Sequence, residues 1–391
     1  MGDWPMARLG DLATYINGRP FKPSDWGTTG RPIIRIQNLT DPSAPFNFYT
    51  GSVDERNLIR AGDLLVSWSA SLDAFIWHRG EAILNQHIFK VVEKTSSVDR
   101  QYLYYALREV MGEIRKQTHG ATMKHINKPE FEAFEIPLPP LPQQQRIAQA
   151  LKTRLAVVER GRQVSAERLQ AASALTAAYL REVFETEEAD EWQEFSLGDL
   201  ALIVQNGLYK KAEFYGSGEP LIRMYNVDNG TWRLNHKELA SVILADDEKE
   251  KFRLQARDLL VSRVNSYEQV GKSGIVSDAE SSYFFENMLI RLRFVPEVDP
   301  LFMVQQLATR RVREALRGVA KRAIGQVSIN SSDLRNLKVR LPDINRQKQI
   351  SLLLDARIDS AASLRKLVSE EVLGFADIPS VLLRQAFSGA L

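Results

Sequence analysis

Pro137-Leu138-Pro139-Pro140-Leu141-Pro142-Gln143-Gln144-Gln145-Arg146-Ile147 reads as the entry to a long helix. Pro142 lacks a donor and has a fixed φ, which suits the first helical turn. Beyond it, Ile147, Leu151, Leu155, Val158, Leu169, Ala172, Leu175, Tyr179 and Val183 form an apolar stripe at helical spacing. Such a stripe needs a partner, and the chain supplies one. Leu341-Pro342-Asp343-Ile344-Asn345-Arg346-Gln347-Lys348-Gln349-Ile350 repeats the entry, with Gln347 matching Gln144 and Ile350 matching Ile147, a shift of 203 (347−144). The same shift carries Leu180-Arg181 to Leu383-Arg384 and Phe184 to Phe387. Two helices that share entry and exit imply an antiparallel, coiled-coil-like pair.

What precedes each helix is repeated too. Leu9-Gly10-Asp11-Leu12 recurs as Leu197-Gly198-Asp199-Leu200, a shift of 188 (197−9). Pro32-Ile33-Ile34-Arg35-Ile36-Gln37-Asn38 recurs at that shift as Pro220-Leu221-Ile222-Arg223-Met224-Tyr225-Asn226, each preceded at two residues by Gly30 or Gly218. Asp63-Leu64-Leu65-Val66-Ser67 recurs as Asp258-Leu259-Leu260-Val261-Ser262, Val98-Asp99 as Val298-Asp299, and Ile126-Asn127 as Ile329-Asn330. The order is kept while the shift grows, so the second copy carries insertions, placed in loops.

Each copy opens with a short helix after Leu9 or Leu197. Residues 32–36 and 64–67 read as buried strands, 83–92 and 283–294 as further strands, 101–118 and 301–320 as amphipathic helices, and 134–138 and 337–341 as closing strands. The fold class is therefore α+β, with two pseudo-symmetric domains separated by two long antiparallel helices. The expected division is 1–141 and 189–341 for the domains, and 142–188 and 342–391 for the helices. Pro379 cannot continue a helical ladder, so a kink or restart is expected there, with Asp377 as cap.

Composition is that of an ordinary globular protein: 391 residues, 44% hydrophobic, 26% charged, net charge +2. No apolar run has the ~18 residues of a membrane span, and no signal peptide is read at the start. The absence of Cys excludes disulfides and thiolate chemistry and fits a reducing, cytoplasmic location. Catalytic signatures are missing. Asn127-Lys128-Pro129-Glu130-Phe131 reads as a turn before a strand, matched by Asn330-Ser331-Ser332-Asp333-Leu334. Gly271-Lys272-Ser273 resembles the end of a phosphate-binding loop, but position 266 is Ser where that loop needs Gly. His78, His87, His119, His125 and His236 have no metal-ligand spacing. No metal and no cofactor is expected in this chain.

The chain as a whole resembles the specificity subunits of type I restriction-modification enzymes. The resemblance rests on the repeat order, the "LPPLPQQQRIAQAL" entry, the two Leu-Gly-Asp-Leu openings, Gly120-Ala121-Thr122 before Ile126-Asn127, and the ending Leu382-Leu383-Arg384-Gln385-Ala386-Phe387-Ser388-Gly389. It implies two target recognition domains, each reading half of a split site in double-stranded DNA. It further implies helices that space the domains and dock two methyltransferase subunits, with restriction-translocase subunits joining them. S-adenosylmethionine, ATP and Mg belong to those partners, and the chain itself is non-catalytic. The competing readings are a self-contained methyltransferase or nuclease with unrecognised motifs, and a tandem protein-interaction scaffold without DNA binding.

Base edges and phosphates are read by exposed donors and acceptors. Three regions per copy offer them. The first holds Arg19 and Lys22 after Asn17-Gly18, paired with Tyr209, Lys210 and Lys211 after Asn206-Gly207. The second holds Trp68 and Arg79, paired with Arg263 and Asn265. The third holds His119, Thr122, Lys124 and His125, paired with Lys321, Arg322 and Gln326. Arg313 and Arg317 extend the basic segment leading into the last of these, and phosphate contact is expected of the segment. Arg35 and Arg223, and Asn38 and Asn226, are identical between copies and suit a structural or phosphate role better than base discrimination.

Overall fold

The structure is a computed structural model that describes residues 4–69, 71–118, 127–228, 230–323 and 325–390. It divides into two units: residues 1–165 with 371–391, and residues 166–370. Both long helices therefore contribute to both units. The central helix runs Leu141–Phe184 and the C-terminal helix Ile344–Gly374.

In the first unit, Ala13–Asn17, Ile88–Glu93, Leu64–Ser67 and Asp73–Ile76 form one antiparallel sheet in that order. A second sheet is ordered Asn47–Tyr49, Arg31–Ile34, Ala82–Leu84, Leu58–Ile59. The helix Arg100–Thr118 packs on the first sheet, and Met6–Arg8 pairs with Glu135–Pro137 where the chain enters the central helix. The second unit repeats the plan. Ala201–Asn206, Leu289–Phe294, Leu259–Ser262 and Ser273–Ile275 form its first sheet, and Gln193–Ser196 pairs with Lys338–Leu341. It adds a sheet of Val264–Asn265, Gln326–Ser328 and Lys321–Ala323.

The repeated glutamines lock each helix to its own domain. Gln144 is 1% exposed; its Oε1 accepts from Asp99 N at 2.8 Å and its Nε2 donates to the carbonyls of Ser97 and Pro139 at 2.8 Å. Gln347, also 1% exposed, does the same with Asp299 N and the carbonyls of Glu297 and Pro342, at 2.9, 3.1 and 2.9 Å. Buried amides persist only when paired, so both positions require this side chain. The far end of each helix closes on the opposite copy's domain. Phe184 meets Phe302 with ring centroids 5.2 Å apart, and Phe387 meets Tyr102 at the same 5.2 Å.

The helices pair antiparallel within each unit. In the first, Gly161 lies against the Phe375 ring and Ser165 Oγ donates to Glu371 at 2.8 Å. In the second, Glu182 meets Arg357 at 3.1 Å, and Glu188, in the short helix Glu187–Glu191 that follows the central one, meets Arg346 at 2.9 Å. Partners thus descend along one helix as they ascend the other. The stripe, however, is not buried mainly between the helices. Ile147 and Leu151 belong to the first domain's core, and Ile350, Leu354 and Ile358 to the second's, while Val158 is half-buried. Ser165, Ala172, Ala361 and Val368 are also buried along the two helices.

The break before Pro379 is present: the C-terminal helix stops at Gly374 and restarts as Ile378–Phe387. Asp377 occupies the cap position but its side chain makes no capping bond, since its backbone is already helical. Other sequence expectations are refined. Residue Ile36 opens the short helix Ile36–Thr40, and residues 85–87 interrupt the strand expected over 83–92. Residues 301–320 form two helices, Pro300–Leu307 and Arg310–Val319, because Thr309 caps the second by accepting from Val312 N.

Candidate nucleic-acid interface

Asn38 and Asn226 are core joints. Asn38 Oδ1 accepts from Arg35 N at 3.0 Å and its Nδ2 donates to Ala44 and Pro45 carbonyls; Asn226 does the same with Arg223 N, Asn235 O and Lys237 O. Arg35 lies over the Trp26 ring at 5.1 Å and Arg223 pairs with Glu286 at 3.5 Å. The shared bonds explain why both copies carry asparagine; the two arginines differ in their side-chain partners.

The first region is a loop pressed against a neighbouring strand end. A Cβ on Gly18 would fall on the Asn85 carbonyl, and one on Gly207 on the Glu286 carbonyl, so only glycine admits the approach. Arg19 donates to Tyr49 Oη at 2.8 Å and Ser52 O at 3.0 Å, with its guanidinium 4.4 Å from the Tyr49 ring centre. Lys22 is exposed. In the second copy Tyr209 is 75% exposed and Lys211 is exposed, whereas Lys210 pairs with Glu248 at 2.6 Å.

In the second region Trp68 stacks on Phe89, with centroids 5.8 Å apart. Arg79 donates to Pro42 O at 2.8 Å and covers the rings of Phe46 and Trp77, which commits much of its guanidinium to its own domain. Arg263 donates its N–H to Met288 O and accepts from Ile329 N, and Asn265 bonds Ser262 Oγ and Ser266 N.

The structure joins the second and third regions of the second domain. Asn265 lies opposite Val327, and Arg322 lies opposite Val327 on the other side, so one small sheet carries Asn265, Gln326, Lys321 and Arg322. Lys321, Arg322 and Gln326 are exposed. At its edge Tyr267 takes the Arg322 guanidinium at 5.0 Å and that of Arg317 at 5.5 Å from its ring centre. Arg317 also donates to the carbonyls of Tyr267 and Glu268 at 3.1 and 2.8 Å. The result is an aromatic ring with two guanidinium groups close to it, a cationic cluster suited to anionic phosphates. Tyr267 was not singled out from sequence; the signal was an aromatic residue two positions after Asn265 in a polar loop.

Arg313 does not belong to this face. It is 8% exposed and donates to Val270 O at 3.1 Å; burial, with Arg317 nearby, pushes its pKa down to about 10. Its helix turns it inward because Val312, Arg313 and Leu316 share the packed side. His119, Thr122, Lys124 and His125 lie outside the described residues.

Gly271-Lys272-Ser273 is no phosphate cradle: Ser273 is buried in a strand, and half-buried Lys272 is depressed by burial. Among the described residues no three His, Asp or Glu side chains group as a metal site, and no helix is long and apolar enough to cross a membrane.

A protein-family model described as the type I restriction modification DNA specificity domain matches this chain twice, over residues 1–167 and 189–372. The specificity subunit of the type I restriction enzyme EcoBI from Escherichia coli is 25% identical over 417 residues, covering 99% of this chain and 86% of that protein. The MjaVIII specificity subunit from Methanocaldococcus jannaschii is 24% identical over 393 residues, covering 95% and 89%. Among solved structures, one from work on assembly and conformational transition of the type I restriction-modification system has a TM-score of 0.77 at 18% identity, covering 100% of this chain and 99% of that one. The specificity subunit from Thermoanaerobacter tengcongensis has a TM-score of 0.59 at 18% identity, covering 100% and 98%.

Proposed function

The chain belongs to the type I restriction-modification DNA specificity family, and on that premise we propose that its two domains read the two halves of one split site in double-stranded DNA. The domains are taken as residues 1–141 and 189–341, and the connecting helices as 142–188 and 342–391. One observation carries the reading: two copies share their joints but differ at several polar and aromatic positions around them. The glutamine and asparagine joints match residue for residue. At equivalent positions Arg19 corresponds to Leu208, Pro20 to Tyr209, Phe21 to Lys210 and Trp68 to Arg263, while Lys22 and Lys211 are alike. A shared scaffold with different donors is what recognition of two different half-sites requires.

In the second domain, Lys321, Arg322 and Arg317 supply phosphate contacts around Tyr267, and Asn265 and Gln326 reach base edges. In the first domain, Arg19, Lys22, Trp68 and Arg79 serve, together with His119, Thr122, Lys124 and His125. Arg313 is withdrawn from this set by its burial. Lys210 contributes only by releasing Glu248.

The chain carries no reaction of its own in this reading. Two methyltransferase subunits dock on the helices and supply S-adenosylmethionine chemistry; restriction-translocase subunits supply ATP- and Mg-dependent steps. The test maps methylated adenines genome-wide in cells with and without the chain. A split motif that vanishes with the chain is expected. Methylation unaffected by its removal would refute the assignment.

A further inference from the structure

The two domains grip the helix pair unequally. By strand register Phe48 and Ser241 are equivalent, since they pair with Pro32 and Pro220. Ten residues separate Asn38 from Phe48 (48−38), but fifteen separate Asn226 from Ser241 (241−226). The shorter connection turns back on its own domain, where Arg79 donates to Pro42 O and Asn38 to Ala44 and Pro45. The longer one reaches the C-terminal helix. Arg233 bridges Asp355 at 3.2 Å and Asp359 at 2.7 Å, carboxylates one helical turn apart. The Arg365 guanidinium lies beside Gly230, where a Cβ would stand 3.8 Å from both its terminal nitrogens.

This connection is held at its root as well as its tip. Trp232 is 2% exposed in the domain core, and its carbonyl accepts from Ile275 N at 2.8 Å. Its φ of 49° is a conformation that side-chain-bearing residues avoid unless their surroundings impose it. Asp228 Oδ1 closes the turn by accepting from Gly230 N, Thr231 N and Thr231 Oγ at 2.8, 2.7 and 2.9 Å. Burial raises the Asp228 pKa, but those bonds and the Arg365 charge outweigh it and leave the carboxyl below its usual value.

Position along the helix gives the contact its leverage. The last C-terminal-helix residue in the second domain's core cluster is Ile358. Its counterpart at a shift of 203 is Leu155, which packs at the edge of the first domain's core. Arg365 lies seven residues beyond Ile358 (365−358), about 10 Å further along the helix at ~1.5 Å per residue. A contact at that distance restrains tilt more than any contact near the pivot.

We propose that Asp228 and residues 230–233 form a brace that fixes the tilt of the second recognition domain on its helix, making Arg233 a positioning residue for spacer-length selectivity. This rests on the split-site reading above.

Two measurements test it on the full chain. The sequence has no Cys, so spin labels at Glu250→Cys and Lys366→Cys, attached before assembly, report the domain-to-helix distance. One narrow distance distribution is expected, broadened by Arg233→Glu and narrowed again when Asp355→Arg and Asp359→Arg are added. In the assembled methyltransferase, Arg233→Glu is expected to raise methylation of duplexes with spacers one base pair longer or shorter, relative to the native spacer, by about fivefold. That factor corresponds to ~1 kcal/mol, the scale of a partly exposed ion-pair network. The swapped variant restores selectivity. A distribution as narrow in Arg233→Glu as in the parent overturns the brace, and so does a broadened distribution with an unchanged spacer profile. If the parent methylates no split site, the functional reading fails instead, a result distinct from either.

Discussion

Removing the Gln347 side chain isolates the joint on which the helix entry depends. Gln347→Ala deletes three buried hydrogen bonds and leaves Asp299 N–H and two carbonyls unmatched in a site where the glutamine is 1% exposed. At roughly 1 kcal/mol net per bond, the loss is about 3 kcal/mol. For a unit the size of residues 166–370, each kcal/mol lowers the melting temperature by roughly 2–4 °C, so a fall of about 6–12 °C is expected. Gln144→Ala should match it, because its three bonds are equally short. Gln347→Glu sharpens the test. It keeps the acceptor for Asp299 N but sets a carboxylate oxygen against the Glu297 and Pro342 carbonyls, so it should be at least as damaging as Ala. Differential scanning calorimetry on the three variants checks this. Shifts under about 2 °C for both Ala variants, or a Glu variant as stable as the parent, would refute the reasoning.

Leu151→Ala and Leu354→Ala, each at a fully buried position of a different domain core, should each cost about 2–5 kcal/mol by chemical denaturation. Arg317→Ala, Lys321→Ala and Arg322→Ala combined should lower the salt slope of DNA binding by about one unit per lost phosphate contact. Arg313→Ala, which removes a buried donor to Val270 O, should instead lower stability and leave that slope unchanged. Four helical residues inserted after Ala178, in the uninterrupted helix Leu141–Phe184, add about 6 Å. They should lengthen the unread spacer by one to two base pairs at ~3.4 Å per step while both half-site sequences persist, as read by methylation mapping.

The repeat, the helix entries and the strand Leu64–Ser67 were legible in the sequence because their signals are local. Proline fixes a first turn, apolar spacing fixes a helical face, and a short β-rich run bounded by turns fixes a buried strand. The break at Pro379 was legible for the same reason, as was the structural part of Asn38 and Asn226, through their identity in both copies. Gln144 and Gln347 were visible as matched letters, but not as joints: their partners Asp99 and Asp299 are more than forty residues away. Arg313 shows the limit most plainly. Its basic neighbourhood signals an exposed face, yet it points toward Val270 and is buried there, and only packing across the fold brings that carbonyl opposite it. Tyr267 with Arg317 and Arg322, and Arg233 on Asp355 and Asp359, are likewise contacts between distant segments. Periodicity assigns a residue to the face of its own element; which element covers that face is decided by burial and charge pairing in three dimensions.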